Sequence, residues 1–428
     1  MKKWSIDPSL FAKNRKNLSD KLMPDSIAII NSNDLLPTNA DGTFPFVQNT
    51  DLFYLTGINQ EETILLLYPD SPDEKMKTIL FVTETNPQIE VWHGKKYSKE
   101  EASKISGIDT VYWVDDFDTI LDKIALQVDN IYINLHEHSR AAIEIQSRDY
   151  RMLKNLKNRF PIHKYHRLAP LIHSLRMIKD PIEVELIKKA CDITESAFRR
   201  ILKFLKPGIT EYEVEAEFAH EFIRNKAKFA YNPIIASGEG ACVLHYEKND
   251  EVCQDGHLLL LDVGASFAYY NADMSRTIPV NGHFTDRQKK VYQSVLNVLK
   301  LTRKELVPGK KIKDIQSFAE DTIKEELIKL GLISSEQLKN KDETRQVVKK
   351  YFPHGVSHLL GLDVHDVGDS SEILKPGMLF TCEPGIYIKE ESLGVRLENN
   401  ILLTESGNID LMSSIPIEID EIEQIMNR

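Results

Sequence analysis

Over the first part of the chain, short apolar runs alternate with segments in which apolar residues recur every three or four positions. The runs SIAII (26–30), TILLLYP (63–69), TILFVT (78–83) and NIYINL (130–135) are bounded by Pro, Asn, Asp and Gly, and predict strands. Amphipathic spacing predicts helices over about 8–22, 98–106, 116–126 and 138–156. Alternation of this kind predicts an α/β domain, assigned to residues 1–172.

From residue 173 onward the grammar changes. Asp180-Pro181-Ile182-Glu183 reads as an N-cap, a proline at the first helical position and a capping-box glutamate. Ile187, Cys191, Thr194, Phe198, Ile201 and Leu205 then share one face, until Pro207-Gly208 stops the helix. Thr210 and Glu213 cap a second helix running to about Lys226. The same order returns about 100 residues later, with helices over about 286–306 and 312–330 separated by Pro308-Gly309. Each copy leads into a strand-rich segment with two carboxylates, Asp262 and Asp273 in the first, Glu383 and Glu398 in the second. An internal duplication, with acidic pairs facing a shared centre, is the economical explanation. The whole is therefore expected to be α+β over residues 173–428, preceded by the smaller α/β domain.

Length and composition narrow the class. A chain of 428 residues exceeds one ordinary core, which agrees with two domains. A hydrophobic content of 42% and a charged content of 28% are those of a soluble globular protein. No apolar run is long enough for a membrane span, and no apolar stretch follows Lys2 and Lys3 as a secretory signal requires. The net charge of −11 argues against non-specific nucleic-acid binding, and the basic stretch 339–350 is interleaved with Asn, Asp and Glu as on a solvated helix face or loop. Cys191, Cys242, Cys253 and Cys382 show no CxxC spacing and read as reduced, mostly buried thiols of a cytoplasmic protein.

The chemistry concentrates in the second part. HLLLLDVGA (257–265) is an apolar strand ending in one charge, so Asp262 needs a partner: an arginine, a backbone cap, or a cation shared with Asp273 across the expected hairpin AYYNADMSRTIPV. His354, His358 and His365 fall within 12 residues, bracketed by glycines. The spacing of four would put His354 and His358 on one face of a helical turn. In GVRLENN, Arg396 and Glu398 are two apart and share a strand face, as a surface ion pair would or as a site would. Four carboxylates and an imidazole form a hard, oxygen-rich set that suits Mn²⁺ foremost, or Co²⁺, Zn²⁺ or Fe²⁺ by availability. Four negative charges converge only if divalent cations neutralise them, and two ions are expected.

The successive motifs LLLLDVGA, YNADMSRT, HGVSHLLGLDVHDVG, CEPGIYI and GVRLENN resemble those of the creatinase/aminopeptidase superfamily with its pita-bread fold, and within it the Xaa-Pro aminopeptidases. The likeness runs from about Leu175 to the end, and FPFVQNTDLFYLTGI (44–58) resembles the family's accessory domain. Val47 stands there where the family usually has arginine.

The resemblance implies that Asp262 and Asp273 serve one metal, while His358, Glu383, Asp273 and Glu398 serve the other, with Asp273 and Glu398 bridging. It places His245, His354 and His365 against the substrate, and Arg396 and Tyr387 behind the ligands. It implies hydrolysis of the N-terminal X–Pro bond of peptides by a hydroxide bridging the two ions, with Glu383 relaying its proton. It also implies a homodimer or homotetramer, with Trp92 of EVWHGKK a candidate for reaching a neighbour's active site, unless it is a plain surface or core tryptophan. Prolidase, which takes X-Pro dipeptides, is the near alternative. Ser357 favours the aminopeptidase, since prolidases tend to place glycine there. Methionine aminopeptidase generally lacks so large an N-terminal domain, and creatinase lacks the ligand set. A peptide-binding module of the histone-chaperone kind has usually lost the ligands kept here.

Overall fold

The computed structural model describes residues 4–138, 140, 144–334, 336–337, 341–369 and 371–428, leaving aside the side chains of residues 89, 92–93 and 341–343. The Trp92 side chain thus lies outside the described residues. The chain divides into two compact units, Met1–Arg176 and Met177–Arg428.

The first unit is built on a six-stranded mixed sheet. Its order is Val111–Trp113, Thr78–Val82, Ile64–Leu67, Ser26–Asn31, Asn130–Ile133 and Lys164–Arg167. The central Ser26–Asn31 strand is buried along its whole length, which is why it reads as one apolar run and not as an alternation. It pairs antiparallel with Ile64–Leu67 (Ala28 opposite Leu67) and parallel with Asn130–Ile133 (Ala28 opposite Tyr132). Ile27, Ile29, Leu66, Phe81, Phe117, Leu121 and Ile131 form its core. The two outermost strands escaped the sequence pattern because one has only three residues and the other, KYHR, is a charged edge.

Four of the described helices in this unit differ from expectation, Pro87–His93 and Ala169–Arg176 being two that the spacing did not predict. Instead of 138–156, the helix spans Arg148–Arg159, because Ser147 accepts the Tyr150 N–H at 3.2 Å and starts it there. Thr50–Thr56 is an additional helix, closed by Asn49 at one end and the left-handed Gly57 (φ 67°) at the other. Its residues from Asp51 to Thr56 are all buried, so it shows no polar face for periodicity to reveal. Asp51 is held by Arg176 at 2.7 Å and by Asn134 at 2.9 Å. Val47 is 48% exposed.

In the second unit the expected helices are Pro181–Phe204, Glu211–Arg224, Asp286–Glu305 and Ile312–Lys329. The capping boxes form as read: Asp180 N–H donates to Glu183 at 2.8 Å, and Thr210 N–H to Glu213 at 2.8 Å. After the first helix pair comes a sheet of Ile234–Ser237, Leu258–Asp262 and Ser275–Pro279. After the second comes a sheet of Leu379–Cys382, Asn399–Thr404 and Gly407–Asp410, with a two-stranded ribbon, Gly385–Ile388 and Leu393–Arg396. The two halves therefore repeat one pattern of helix, break, helix and antiparallel strands. All four cysteines are free, and three of them are buried. Among the described residues no helix is long and apolar enough to cross a membrane.

Candidate metal centre

In each half the two carboxylates stand at the open end of one antiparallel strand pair. Asp262 ends Leu258–Asp262 opposite Ser275, and Asp273 stands two residues before that partner strand. Glu383 follows Leu379–Cys382, and Glu398 precedes Asn399–Thr404, next to the facing pair Cys382 and Asn399. Gly264 lets the first hairpin cross itself closely, since a Cβ there would lie 1.8 Å from Ala272 O. The halves are joined where Glu398 N–H donates to Ser275 O at 3.0 Å.

The histidine segment is not helical, contrary to the shared-face expectation for His354 and His358. Its backbone pairs with the neighbouring strand instead of with itself. Thr381 N–H donates to His358 O and Glu383 N–H to Val356 O, both at 2.9 Å. This still brings His358 to the carboxylates, with Nε2 at 3.4 Å from Asp273 Oδ2 and 3.5 Å from Glu383 Oε1. His358 Nδ1 lies 2.9 Å from Leu359 O, which holds a proton on Nδ1 and turns Nε2 toward the carboxylates.

Among the described residues, Asp273, His358 and Glu398 offer ligand atoms that all lie within 4.8 Å of one another. Glu398 Oε1 is buried without a hydrogen-bond partner, while Oε2 accepts from Ser275 Oγ at 2.8 Å. An unsatisfied buried carboxylate oxygen in such company fits a cation. The electrostatics agree. Burial pushes the carboxyls of Asp262, Glu383 and Glu398 upward, and repulsion from Asp273 adds to each. For His358, burial works downward but Asp273 and Glu383 outweigh it.

Asp262 and Glu383 stand beside this trio. Tyr231 Oη lies 2.6 Å from both Asp262 Oδ1 and Asp273 Oδ1, and Arg396 Nη2 is 2.5 Å from Asp262 Oδ2. The bland arginine partner and the carboxylate cluster thus coexist. Arg396 also donates to Ser275 Oγ at 2.9 Å and to Tyr387 Oη at 2.9 Å. Tyr387 in turn meets His354 Nε2 at 2.8 Å. With its Nδ1 at 2.8 Å from Gly355 O, His354 has both ring nitrogens engaged. Burial and the nearby Arg396 hold it neutral, with a pKa lowered to about 4.

A cleft of about 330 Å³ opens on this cluster. His245, His354, His358 and His365 line it with Tyr231, Ile234, Leu244, Val364 and the carboxylates. His365 packs edge-on against His358, with ring centroids 4.4 Å apart.

Sequence reasoning assigned no role to Tyr231, Ser275 or Asn400. Asn400 clamps the Asp273 backbone, accepting its N–H at 3.1 Å and donating to its carbonyl at 2.6 Å. Ser275 and Asn400 stand inside the quoted motifs YNADMSRT and GVRLENN, two residues from a carboxylate. Tyr231 precedes the 234–237 strand and had no signal of its own.

Comparison with known proteins identifies the family. Residues 185–405 match the model of metallopeptidase family M24, and residues 11–132 match the aminopeptidase P N-terminal domain. The chain is 35% identical to the Xaa-Pro aminopeptidase of Haemophilus influenzae over 436 residues, and 33% identical to that of Escherichia coli over 432, covering 97% of each chain in both cases. Among solved structures, Pseudomonas aeruginosa aminopeptidase PepP superposes with a TM-score of 0.90 at 31% identity, covering 99% of this chain and 98% of that one. Zinc-substituted E. coli aminopeptidase P in complex with product gives 0.88 at 31%, covering 99% of each. A pita-bread unit with two carboxylate pairs and a histidine, carried behind an aminopeptidase P N-terminal domain, places this chain in metallopeptidase family M24, as a metal-dependent aminopeptidase of the aminopeptidase P type.

Proposed function

We propose that the chain removes the first residue from peptides with proline in second position, using two divalent ions held by Asp262, Asp273, His358, Glu383 and Glu398. The observation that carries the reading is the charge imbalance. Four carboxylates converge with Arg396 bonded to Asp262 and His358 beside Asp273 and Glu383, fewer positive groups than negative ones, while Glu398 Oε1 is buried without a partner. Asp273 and Glu398 belong to different halves yet share the tight ligand trio, which suits bridging positions. When bound, the ions supply Lewis acidity, lowering the pKa of water at the site and polarising the scissile carbonyl.

The protein's own groups do the rest. Glu383, raised by burial, is suited to take and return a proton. His365 and His245 line the cleft and are assigned to the substrate's carbonyls. His354 also lines the cleft and is assigned to the substrate, while its contact with Tyr387 holds that hydroxyl and through it Arg396. The X–Pro bond lacks an N–H, so a site that grips the amine end and the carbonyls is suited to it where proteases gripping an extended backbone are not. Mn²⁺ is the ion proposed, the assembly a homodimer or homotetramer, and the setting cytoplasmic. Assay of an X-Pro dipeptide against an X-Pro-Y tripeptide with Mn²⁺ tests the reading. Cleavage of the tripeptide is expected, and cleavage of the dipeptide alone would establish a prolidase instead.

A further inference from the structure

The loop from His358 to Gly368 carries both His358 and His365, and it is tied down at several points. Asp366 N–H donates to Leu359 O at 2.9 Å and closes its base. Asn271, on the hairpin that leads to Asp273, donates from Nδ2 to Gly361 O at 3.1 Å and to Leu362 O at 2.9 Å. A further tie is a charge pair. Lys179 Nζ lies 2.8 Å from Asp366 Oδ2, and each side chain is 1% exposed. The second oxygen of Asp366 accepts the Val367 N–H at 3.0 Å. Lys179 is itself anchored, its backbone N–H donating to Gly377 O at 2.8 Å. Gly361 lies over the pair so closely that a Cβ would fall 2.2 Å from Asp366 Oδ2 and 2.8 Å from Lys179 Nζ.

Stability alone does not account for this arrangement. Removing an ammonium and a carboxylate from water costs several kcal/mol per ion, and an apolar pair of similar volume is often no less stable. A charge pair does what an apolar pair cannot: it fixes direction. Asp366 adjoins His365, and with its N–H and both carboxylate oxygens committed, the backbone that carries the His365 ring has one arrangement open to it.

We propose that the Lys179–Asp366 pair is a positioning device for His365, holding the histidine loop so that the His365 ring stands against His358 and faces the cleft. Neither residue touches substrate; each acts through His365. The inference rests on the reading of His365 as a substrate-contacting residue.

The test uses the full chain loaded with Mn²⁺ and an X-Pro-Y tripeptide. Lys179→Met/Asp366→Leu replaces the pair by apolar groups and is compared with His365→Ala and with the triple variant. The paired variant is expected to melt close to the unaltered protein and to hold the same Mn²⁺ per chain. Its kcat/KM should nevertheless fall roughly 10- to 100-fold, the scale of a small misplacement at a reacting centre. In the His365→Ala background the same pair of changes should cost nothing further. Full activity in the paired variant, or losses that multiply with that of His365→Ala, would overturn the proposal alone. No effect of His365→Ala would instead remove the assigned role of His365, and the proposal with it. Should the paired variant not fold, Asp366→Asn, which keeps shape and the Val367 acceptor, gives the same readout.

Discussion

Arg276 offers a sharp test of how the two halves of the catalytic unit are held together. It is fully buried, yet its hydrogen bonds go to uncharged acceptors. Nε donates to Pro416 O at 3.0 Å, Nη1 to Ser275 O at 2.9 Å and to Glu398 O at 2.7 Å, and Nη2 to Asn399 Oδ1 at 2.7 Å. The guanidinium thus joins the strand after Asp273 to the backbone of Glu398. In Arg276→Met, Ser275 O keeps the Glu398 N–H, but the other three acceptors lose the guanidinium. At roughly 1–3 kcal/mol for each abandoned buried acceptor the loss is about 3–9 kcal/mol. Relief from burying the charge offsets several kcal/mol of that, leaving about 3 kcal/mol. Lysine keeps the charge but cannot span the four acceptors, so Arg276→Lys should recover less than half. Trp4, Trp92 and Trp113 all lie in the first unit, so tryptophan fluorescence does not report on this event. Urea unfolding followed by hydrogen exchange of peptides covering 258–279 and 396–404, with chelator present, does. A methionine variant within about 1 kcal/mol of the unaltered protein would refute the stapling argument.

Three further outcomes are expected. Asp273→Ala should abolish stoichiometric metal binding, measured by elemental analysis after dialysis, with activity falling beyond the roughly 10- to 100-fold typical of groups that only support ligands. Tyr231→Phe, which removes the hydroxyl between Asp262 and Asp273, should fall within that range while the chain still binds metal. In the first unit, burial raises Asp149 to about 7, and Asn31 Nδ2 donates to it at 2.7 Å while Asn31 Oδ1 is buried without a partner. Because the folded-state pKa is raised, stability from this group is fully present below about pH 4 and is lost as pH rises through about 7. Asp149→Asn can pair with both ends of the Asn31 amide, so tryptophan-monitored unfolding should lose its pH dependence over that window. An unchanged pH profile would count against the assignment.

Much of this protein could be read from its residues alone. Helix starts are written locally, since Asp180 with Glu183 and Thr210 with Glu213 satisfy backbone groups within one turn, and they formed as read. The carboxylates and His358 could be picked out because an isolated charge in an apolar run demands a partner wherever the run ends. Elements whose stability comes from distant partners were not legible. Thr50–Thr56 has no polar face, and Lys164–Arg167 is a strand only because Asn130–Ile133 lies beside it. The histidine segment shows the limit of spacing arguments: four residues apart suggests a helical turn, but hydrogen bonds to Thr381 and Glu383 drew that backbone into an extended path. The chemical identity of the site was thus local information, carried by side-chain type. Its geometry was decided by tertiary structure, because Tyr231, Ser275, Asn400, Arg276 and the Lys179–Asp366 pair act across separations in sequence that no local pattern records.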